Sequence, residues 1–342
     1  MTTQATNPSP TLGSNGPLAF LRPQPFRGDL IAAGAVVLAV GVLLIDSRFH
    51  QDWSDFVRFL VVAVPAALLL IMAWQAPAEG DLPRTYVSVL LVAGFVLELT
   101  ALDNLSQVLG SAGVRHSDNT AVWVGLVLGG GFLMLAAAKN SAVCTLLASV
   151  TLTITLVVAV HWVFNTHSVN AFRWTLLVSI LALAGLATAR REEAPRHSVA
   201  HVNAAGVAAL GIAVFTVGAL FTGALSSAFS GGGGGLRGSS TWWEIVLLVL
   251  GCGLIAVASA DREPGPAYLG VVVLILYVVA AFPGDSLIGW PLILVLLGGG
   301  ALVAGLRPTT PAPPAPNASA PAAPTTPITP PRPPAPPPAT ME

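Results

Sequence analysis

The sequence predicts an all-α polytopic bundle of about ten transmembrane helices, and three observations support this fold class. Of the 342 residues, 54% are hydrophobic and only 9% are charged, whereas about 25% of residues in a typical soluble domain are charged. The apolar residues form continuous runs close to the roughly 20 residues that a membrane-spanning helix needs. A stretch that begins with Trp and ends with a basic residue recurs, as in WPLILVLLGGGALVAGLR at 290–307.

The apolar runs define a transmembrane domain at 29–307 with short charged linkers, among them 103–119 and 190–203. The bilayer core offers no water to exposed backbone groups, so each run is expected to be a helix. A transmembrane β-barrel would instead alternate polar and apolar residues over segments of about ten residues. We predict ten spans, at 29–46, 56–74, 86–102, 121–138, 142–163, 172–189, 204–227, 242–260, 267–282 and 288–306.

An N-terminal tail precedes this domain. Residues 1–28 are polar and rich in Pro, Gly, Thr and Asn, a composition that predicts a disordered segment. Arg22 and Arg27 precede the first apolar run as basic residues do in a signal peptide, but the leader is long and no A-x-A-like site follows. We therefore expect a retained first helix.

A Pro-rich tail follows the domain at 308–342 and contains fifteen prolines. From Pro321 to Pro336 a proline recurs at every third residue, which is the period of a polyproline II helix. We predict that this tail is disordered. It is either a semi-rigid spacer or a docking strand for a protein partner with an aromatic-lined groove.

The basic residues predict the orientation of the domain in the membrane, because Lys and Arg concentrate on the cytoplasmic side. With the N-terminus inside, nine basic residues lie on the inner side and five on the outer side. The sequence therefore predicts a multi-pass protein of the cytoplasmic membrane with both termini in the cytoplasm. Four spans that run inward then begin with a tryptophan, namely Trp123, Trp174, Trp243 and Trp290.

Small residues occur near the middle of these four spans and favour close helix packing. Small side chains let helix backbones approach, which stabilises helix pairs in lipid. Five repeated helical hairpins are the simplest description of this pattern. The small residues are Gly129–Gly131, Ala182 with Ala184, Gly251 with Gly253, and Gly298–Gly300.

Three residues form the candidate polar membrane site. Glu98 lies in the apolar sequence VAGFVLELTAL, five residues before Asp103 and just inside the predicted outer interface. A carboxylate in a span faces protein or water by default, although a residue at a span end also reaches the interface or pairs with Arg. His161 ends the fifth span on the same side. Together with nearby loop residues these groups predict an outward-facing cation or proton site, or else scattered loop charges.

Two further polar patterns repeat at steps of four. His197 and His201 would share one face of a helix, but the linker context and Pro195 argue against a helix there. A stripe on the fifth span would either hydrogen-bond a neighbouring helix or line a polar path. It consists of Ser141, Thr145, Ser149 and Thr153.

The sequence contains no catalytic, cofactor-binding or metal-binding motif. The histidines lack a zinc-ligand spacing such as H-E-x-x-H, and the glycine run at 231–235 lacks the Lys-Ser/Thr of a P-loop. Asp52 and Asp55 occupy the first outer loop as acidic residues do in polytopic glycosyltransferases, but the outer loops are short for such a substrate. Cys144 and Cys252 are interpreted as apolar packing residues. A net charge of −1 provides no basic field for nucleic acid.

The C-terminal third resembles uncharacterised multi-span integral membrane proteins of actinobacteria. The similarity covers about 242–310, from WWEIVLLVLGCGLIAVASADREPGPAYLG to IGWPLILVLLGGGALVAGLRP, and its most specific part is DREPGPAYLG at 261–270. That family has no assigned activity, so the resemblance implies location and topology only.

These observations predict a non-enzymatic membrane protein that is structural or an assembly partner. Its partners would be the lipid bilayer and a protein that recognises the Pro-rich tail. The alternative is a transporter or channel with an outward-facing polar site near Glu98 and His161. An enzyme acting on a lipid-linked substrate is the third hypothesis.

Overall fold

The computed structural model describes residues 28–49, 51–76, 84–166, 168–229 and 240–281, with side chains omitted at 223–229. Over these residues the chain forms nine α-helices and no strand. Each helix is long and apolar enough to cross a membrane, so this is a multi-pass membrane protein, as predicted. The helices are α1 (Gly28–Arg48), α2 (Asp55–Gln75), α3 (Thr85–Val108), α4 (Asp118–Lys139), α5 (Ala142–Phe164), α6 (Val169–Ala189), α7 (Pro195–Phe229), α8 (Thr241–Asp261) and α9 (Pro264–Ala281).

The nine helices match the first nine predicted spans in order and approximate position. The tenth span at 288–306 and both predicted tails lie outside the described residues. Two helices end in tight turns at an asparagine, a residue that tolerates left-handed backbone angles. Asn140 ends α4 at φ 53° and Asn165 ends α5 at φ 45°. These turns return the chain directly into the next helix.

Sequential helices pair as antiparallel hairpins. The most extensive contacts join α2 to α3, α4 to α5, α6 to α7, and α8 to α9, while α1 packs on α3 and α2. Helix α7 also contacts α5, α8 and α9, so it links the second half of the bundle. Three of these hairpins begin with a helix that carries the tryptophan repeat.

Glycine permits the closest helix contacts, as the repeat predicts. A Cβ on Gly270 of α9 would lie 2.8 Å from the carbonyl oxygen of Gly251 in α8, so these backbones touch. A Cβ on Gly129 of α4 would lie 2.8 Å from Leu152 of α5. Gly131 and Gly253 have open space beside them instead. Small residues of the repeat therefore serve packing at some positions only.

Two predicted linkers are shorter in the structure, because α3 continues to Val108 and α7 begins at Pro195. The polar residues that suggested loops are buried against neighbouring helices, with Asn104 1% exposed and His201 5% exposed. Burial of a helix end next to polar partners stabilises residues that would be costly in lipid. Pro195 is compatible with the first helical position, where no backbone N–H is needed.

The helix ends alternate between two sides of the bundle. We call the side where α1 ends the Asp46 end, and the opposite side, where α4 ends, the Lys139 end. At the Asp46 end, the ring of Trp174 lies 6.3 Å from Trp242 and 5.3 Å from Trp243. At the Lys139 end, Lys139 Nζ lies 5.0 Å above the ring of Trp74. Tryptophan at helix ends is typical of membrane interfaces.

Candidate functional site

The three residues of the predicted polar site lie at three different places in the structure. Asp103 lines a polar cavity at the Asp46 end, and Glu98 lines a largely apolar groove on another face of α3. His161 lies in the last turn of α5, beside Asp118 at the start of α4. The structure therefore does not bring them into one site within the described residues.

The polar cavity has a volume of about 610 Å³ and lies between α1, α2, α3 and the loop at 109–117. This volume falls within the roughly 300–1,000 Å³ of sites that bind small molecules. The residues that line it and carry the argument below are Asp46, Arg58, Thr100, Asp103, Asn104, Gln107 and Arg115.

A buried ion pair forms one wall of the polar cavity. Arg58 Nε donates to Asp46 Oδ1 at 3.0 Å, and Nη2 donates to Asp46 Oδ2 at 3.4 Å. Both side chains are only 12% exposed. This fork-like geometry fixes the guanidinium against the carboxylate. Two residues of α3 join the pair, because Asn104 Nδ2 donates to Asp46 Oδ1 at 3.2 Å and Arg58 Nη1 donates to Gln107 Oε1 at 3.3 Å.

One hydrogen-bond acceptor at this wall has no partner among the described residues. Asn104 Oδ1 is buried and forms no hydrogen bond with the part of the chain that the structure describes. Buried polar atoms are nearly always paired with protein or water. Asn104 Oδ1 thus marks a position where water or a solute donor would be stabilised.

Asp103 holds the loop that covers the cavity. Its Oδ1 accepts from the backbone N–H of Val114 at 2.7 Å, and its Oδ2 accepts from Gln107 Nε2 at 3.5 Å. Gly113 has a φ of +81°, and a Cβ there would lie 3.1 Å from Asp103 Oδ1. Glycine is favoured at this angle because it has no Cβ. The carboxylate and the glycine together position the loop.

The cavity extends below the helix ends. Thr100 lines it eight residues before Val108, the last residue of α3, which corresponds to about 12 Å along the helix. Its walls carry two carboxylates, Asp46 and Asp103, and two arginines, Arg58 and Arg115, and His116 also lines it. The charges balance, so the cavity suits a polar solute without net charge better than a single ion.

His161 forms a contact between helix ends. Its Nδ1 donates to the carbonyl oxygen of Thr166 at 2.6 Å, and its Nε2 lies 3.4 Å from Asp118 Oδ2 at the start of α4. The ring packs 5.7 Å from Phe172 of α6. His161 therefore connects α4, α5 and α6 at the Asp46 end.

The polar stripe of α5 hydrogen-bonds two histidines of α7, which confirms the predicted contact with a neighbouring helix. Thr145 Oγ1 lies 2.6 Å from His197 Nδ1, and Ser149 Oγ lies 3.1 Å from His201 Nδ1. His197 Nε2 also lies 2.9 Å from Asn140 Oδ1. The expectation of a loop at the histidines was wrong. The shared step of four in both segments was the signal for this pairing.

A buried arginine of α6 was missed by the sequence analysis. Arg173 is 6% exposed and donates to Asn170 Oδ1 at 3.2 Å and to the Phe215 carbonyl of α7 at 3.4 Å. Its guanidinium carbon lies 5.6 Å from the ring of Trp243 in α8, a cation–π contact. Its side chain joins α6, α7 and α8.

The residues that the structure describes contain no cluster of three His, Cys, Asp or Glu side chains suited to a metal ion. Comparisons with known protein families, with curated proteins and with solved structures found no match. The function is therefore inferred from the geometry of the polar cavity.

Proposed function

We propose that this protein is a transporter of the cytoplasmic membrane that admits a small zwitterionic solute through the polar cavity. The supporting observation is the cavity of about 610 Å³ whose acidic and basic side chains balance and whose walls extend along α3 to Thr100. A water-filled site between helices with few convergent polar groups is typical of solute binding.

The cavity offers complementary groups for both ends of a zwitterion. Arg115 would receive the solute carboxylate, since Arg58 is already bound to Asp46. The Asp103 carboxylate would accept from the solute ammonium group. The pair of Asp46 and Arg58 holds the wall in place without contributing net charge.

The proposed orientation places the Asp46 end outside the cell and both termini in the cytoplasm. It rests on the distribution of Lys and Arg near the predicted spans, which predicts membrane topology. The alternative role as a structural or assembly partner rests on the Pro-rich tail at 308–342, which lies outside the described residues. Deleting that tail and comparing the proteins recovered by pull-down tests that role.

Cysteine labelling tests whether water fills the cavity and on which side of the membrane the cavity opens. Thr100→Cys and Leu126→Cys are matched in depth, because each site lies eight residues from the Asp46 end of its helix. Thr100 lines the cavity, whereas Leu126 is 55% exposed on the surface of the bundle that faces lipid. With Cys144 and Cys252 replaced by Ala, we expect a membrane-impermeant thiol reagent to label only the Thr100 variant in intact cells. Labelling only in inverted vesicles would reverse the orientation.

Uptake into proteoliposomes tests transport itself. The probe is a mixture of ¹⁴C-labelled zwitterionic amino acids, and we expect uptake above that of empty liposomes. Asp103→Asn keeps an acceptor for Val114 N–H but removes the charge, and uptake should fall at least about tenfold, since 1.4 kcal/mol is a factor of ten. Asp29→Asn, an exposed carboxylate at the start of α1, is the matched control. Equal uptake by wild type and empty liposomes would contradict the proposal.

A further inference from the structure

A groove between α2, α3 and α4 is separate from the polar cavity. Its volume is about 600 Å³, and Glu98 is the only ionisable residue among the described residues that line it. Leu128 and Phe132 of α4 form its floor, each 3% exposed, and Met134 at 76% exposed lies on its rim. The groove therefore opens sideways on the surface that faces lipid.

Glu98 lies near the middle of α3. It is ten residues before the end of α3 at Val108 and thirteen after its start at Thr85, so it lies about 15 Å from the nearer end. The hydrocarbon core of a bilayer is about 30 Å thick. Helix α3 is long enough to cross this thickness, so we expect Glu98 near the middle of the hydrocarbon core, deeper than just inside the outer interface.

Glu98 has no partner in the described part of the protein, where it forms neither an ion pair nor a hydrogen bond. The basic residue Lys139 is already engaged, because its Nζ donates to the Ala76 carbonyl at 3.0 Å and contacts the face of Trp74. An ionised carboxylate at membrane depth is costly unless a cation or water compensates it. A cation that a ligand brings into the groove would therefore stabilise the ionised form of Glu98.

We propose that this groove binds an amphiphilic monovalent cation, a molecule with an apolar aromatic body and one positive charge, and that Glu98 is its counter-ion. The apolar walls suit the body, and the lateral opening admits it from the lipid. The volume matches a molecule of drug size. A neutral lipid chain would fill the walls but would leave the carboxylate without a function. This site goes beyond the proposed uptake of a polar solute and rests on a different set of residues.

The test is equilibrium binding of tritiated tetraphenylphosphonium to the purified full-length protein in detergent. We expect saturable binding. Glu98→Gln should weaken binding at least about tenfold. Glu193→Gln, an exposed loop residue, is the matched control and should bind as wild type does.

Two further measurements keep the proposal falsifiable if Glu98→Gln fails to fold. Gly131→Leu leaves Glu98 in place and adds a side chain where a Cβ meets nothing within 4 Å, so it should fill the groove and weaken binding. Tetraphenylborate, an anion of the same shape, should not bind. Equal binding of the anion, or unchanged binding in either groove variant, would overturn the proposal. A groove covered by a second copy of the chain, seen as a dimer that binds no cation, would overturn it too.

Discussion

The polar cavity and the Glu98 groove are both lined by residues of α3, but they differ in whether their carboxylates have partners. In the cavity, Asp46 is held by Arg58 and Asn104, and Asp103 is held by the backbone of the covering loop. In the groove, Glu98 has no partner among the described residues. The ion pair of Asp46 and Arg58 therefore belongs to the folded structure, whereas the carboxylate of Glu98 is available to a ligand. Substitutions at the two sites should therefore differ mainly in their effect on stability.

The largest effect is expected at the ion pair of the cavity. Arg58→Ala leaves Asp46 buried without its cation, and breaking such a pair costs about 3 kcal/mol or more. The measurement is thermal unfolding in detergent, followed by the helical circular dichroism signal. The double variant of Asp46→Asn with Arg58→Gln should recover much of the loss, because no charge is left unpaired. An unchanged midpoint in Arg58→Ala would show that the pair does not stabilise the fold.

A smaller effect is expected at Asn104. Asn104→Ala removes the hydrogen bond to the Asp46 carboxylate, a loss of about 1.5–3 kcal/mol for a charged acceptor. It also removes the unpaired Oδ1, so we expect a net destabilisation of about 1 kcal/mol. The same thermal unfolding assay measures it, with Thr100→Ala as a control that changes a lining residue outside the ion-pair network. A loss equal to that of Arg58→Ala would mean that the amide, and not the guanidinium, holds the wall.

The smallest effect is expected in the groove. Glu98→Gln breaks no contact in the described structure, so its unfolding free energy should change by less than about 0.5 kcal/mol. The thermal midpoint should match wild type within error, while binding of tetraphenylphosphonium is lost. A large destabilisation would show that Glu98 belongs to the folded structure, and the contrast between the two regions would then disappear.

The sequence predicted the nine described helices well because each apolar run has nearly the same length as the helix that it forms. It predicted helix ends less well, since the polar last turns of α3 and the first turn of α7 are buried by other helices. Burial of this kind depends on tertiary contacts that hydropathy does not report. The start at Pro195 could still have been recognised, because proline is favoured at the first position of a helix.

The candidate site shows why nearness in sequence was misleading. Glu98 and Asp103 are five residues apart, which on an α-helix turns the second side chain by about 140° from the first. They accordingly face different spaces. The partners of the cavity, Asp46, Arg58 and Asn104, come from three helices, and no local pattern links them. Within α3, the lining residues Thr100, Asn104 and Gln107 follow steps of four and three, which indicate a shared face.

The hydrogen bonds between the histidines of α7 and the polar stripe of α5 can form only after α7 has been synthesised. Helix α5 ends at Phe164, and α7 begins 31 residues later at Pro195. His197 and His201 reach back to Thr145 and Ser149, so the α4–α5 hairpin enters the bilayer before either bond exists. Until α7 follows, Thr145 can donate only to the Ser141 carbonyl of its own helix. A product that stops before 195 lacks both hydrogen bonds.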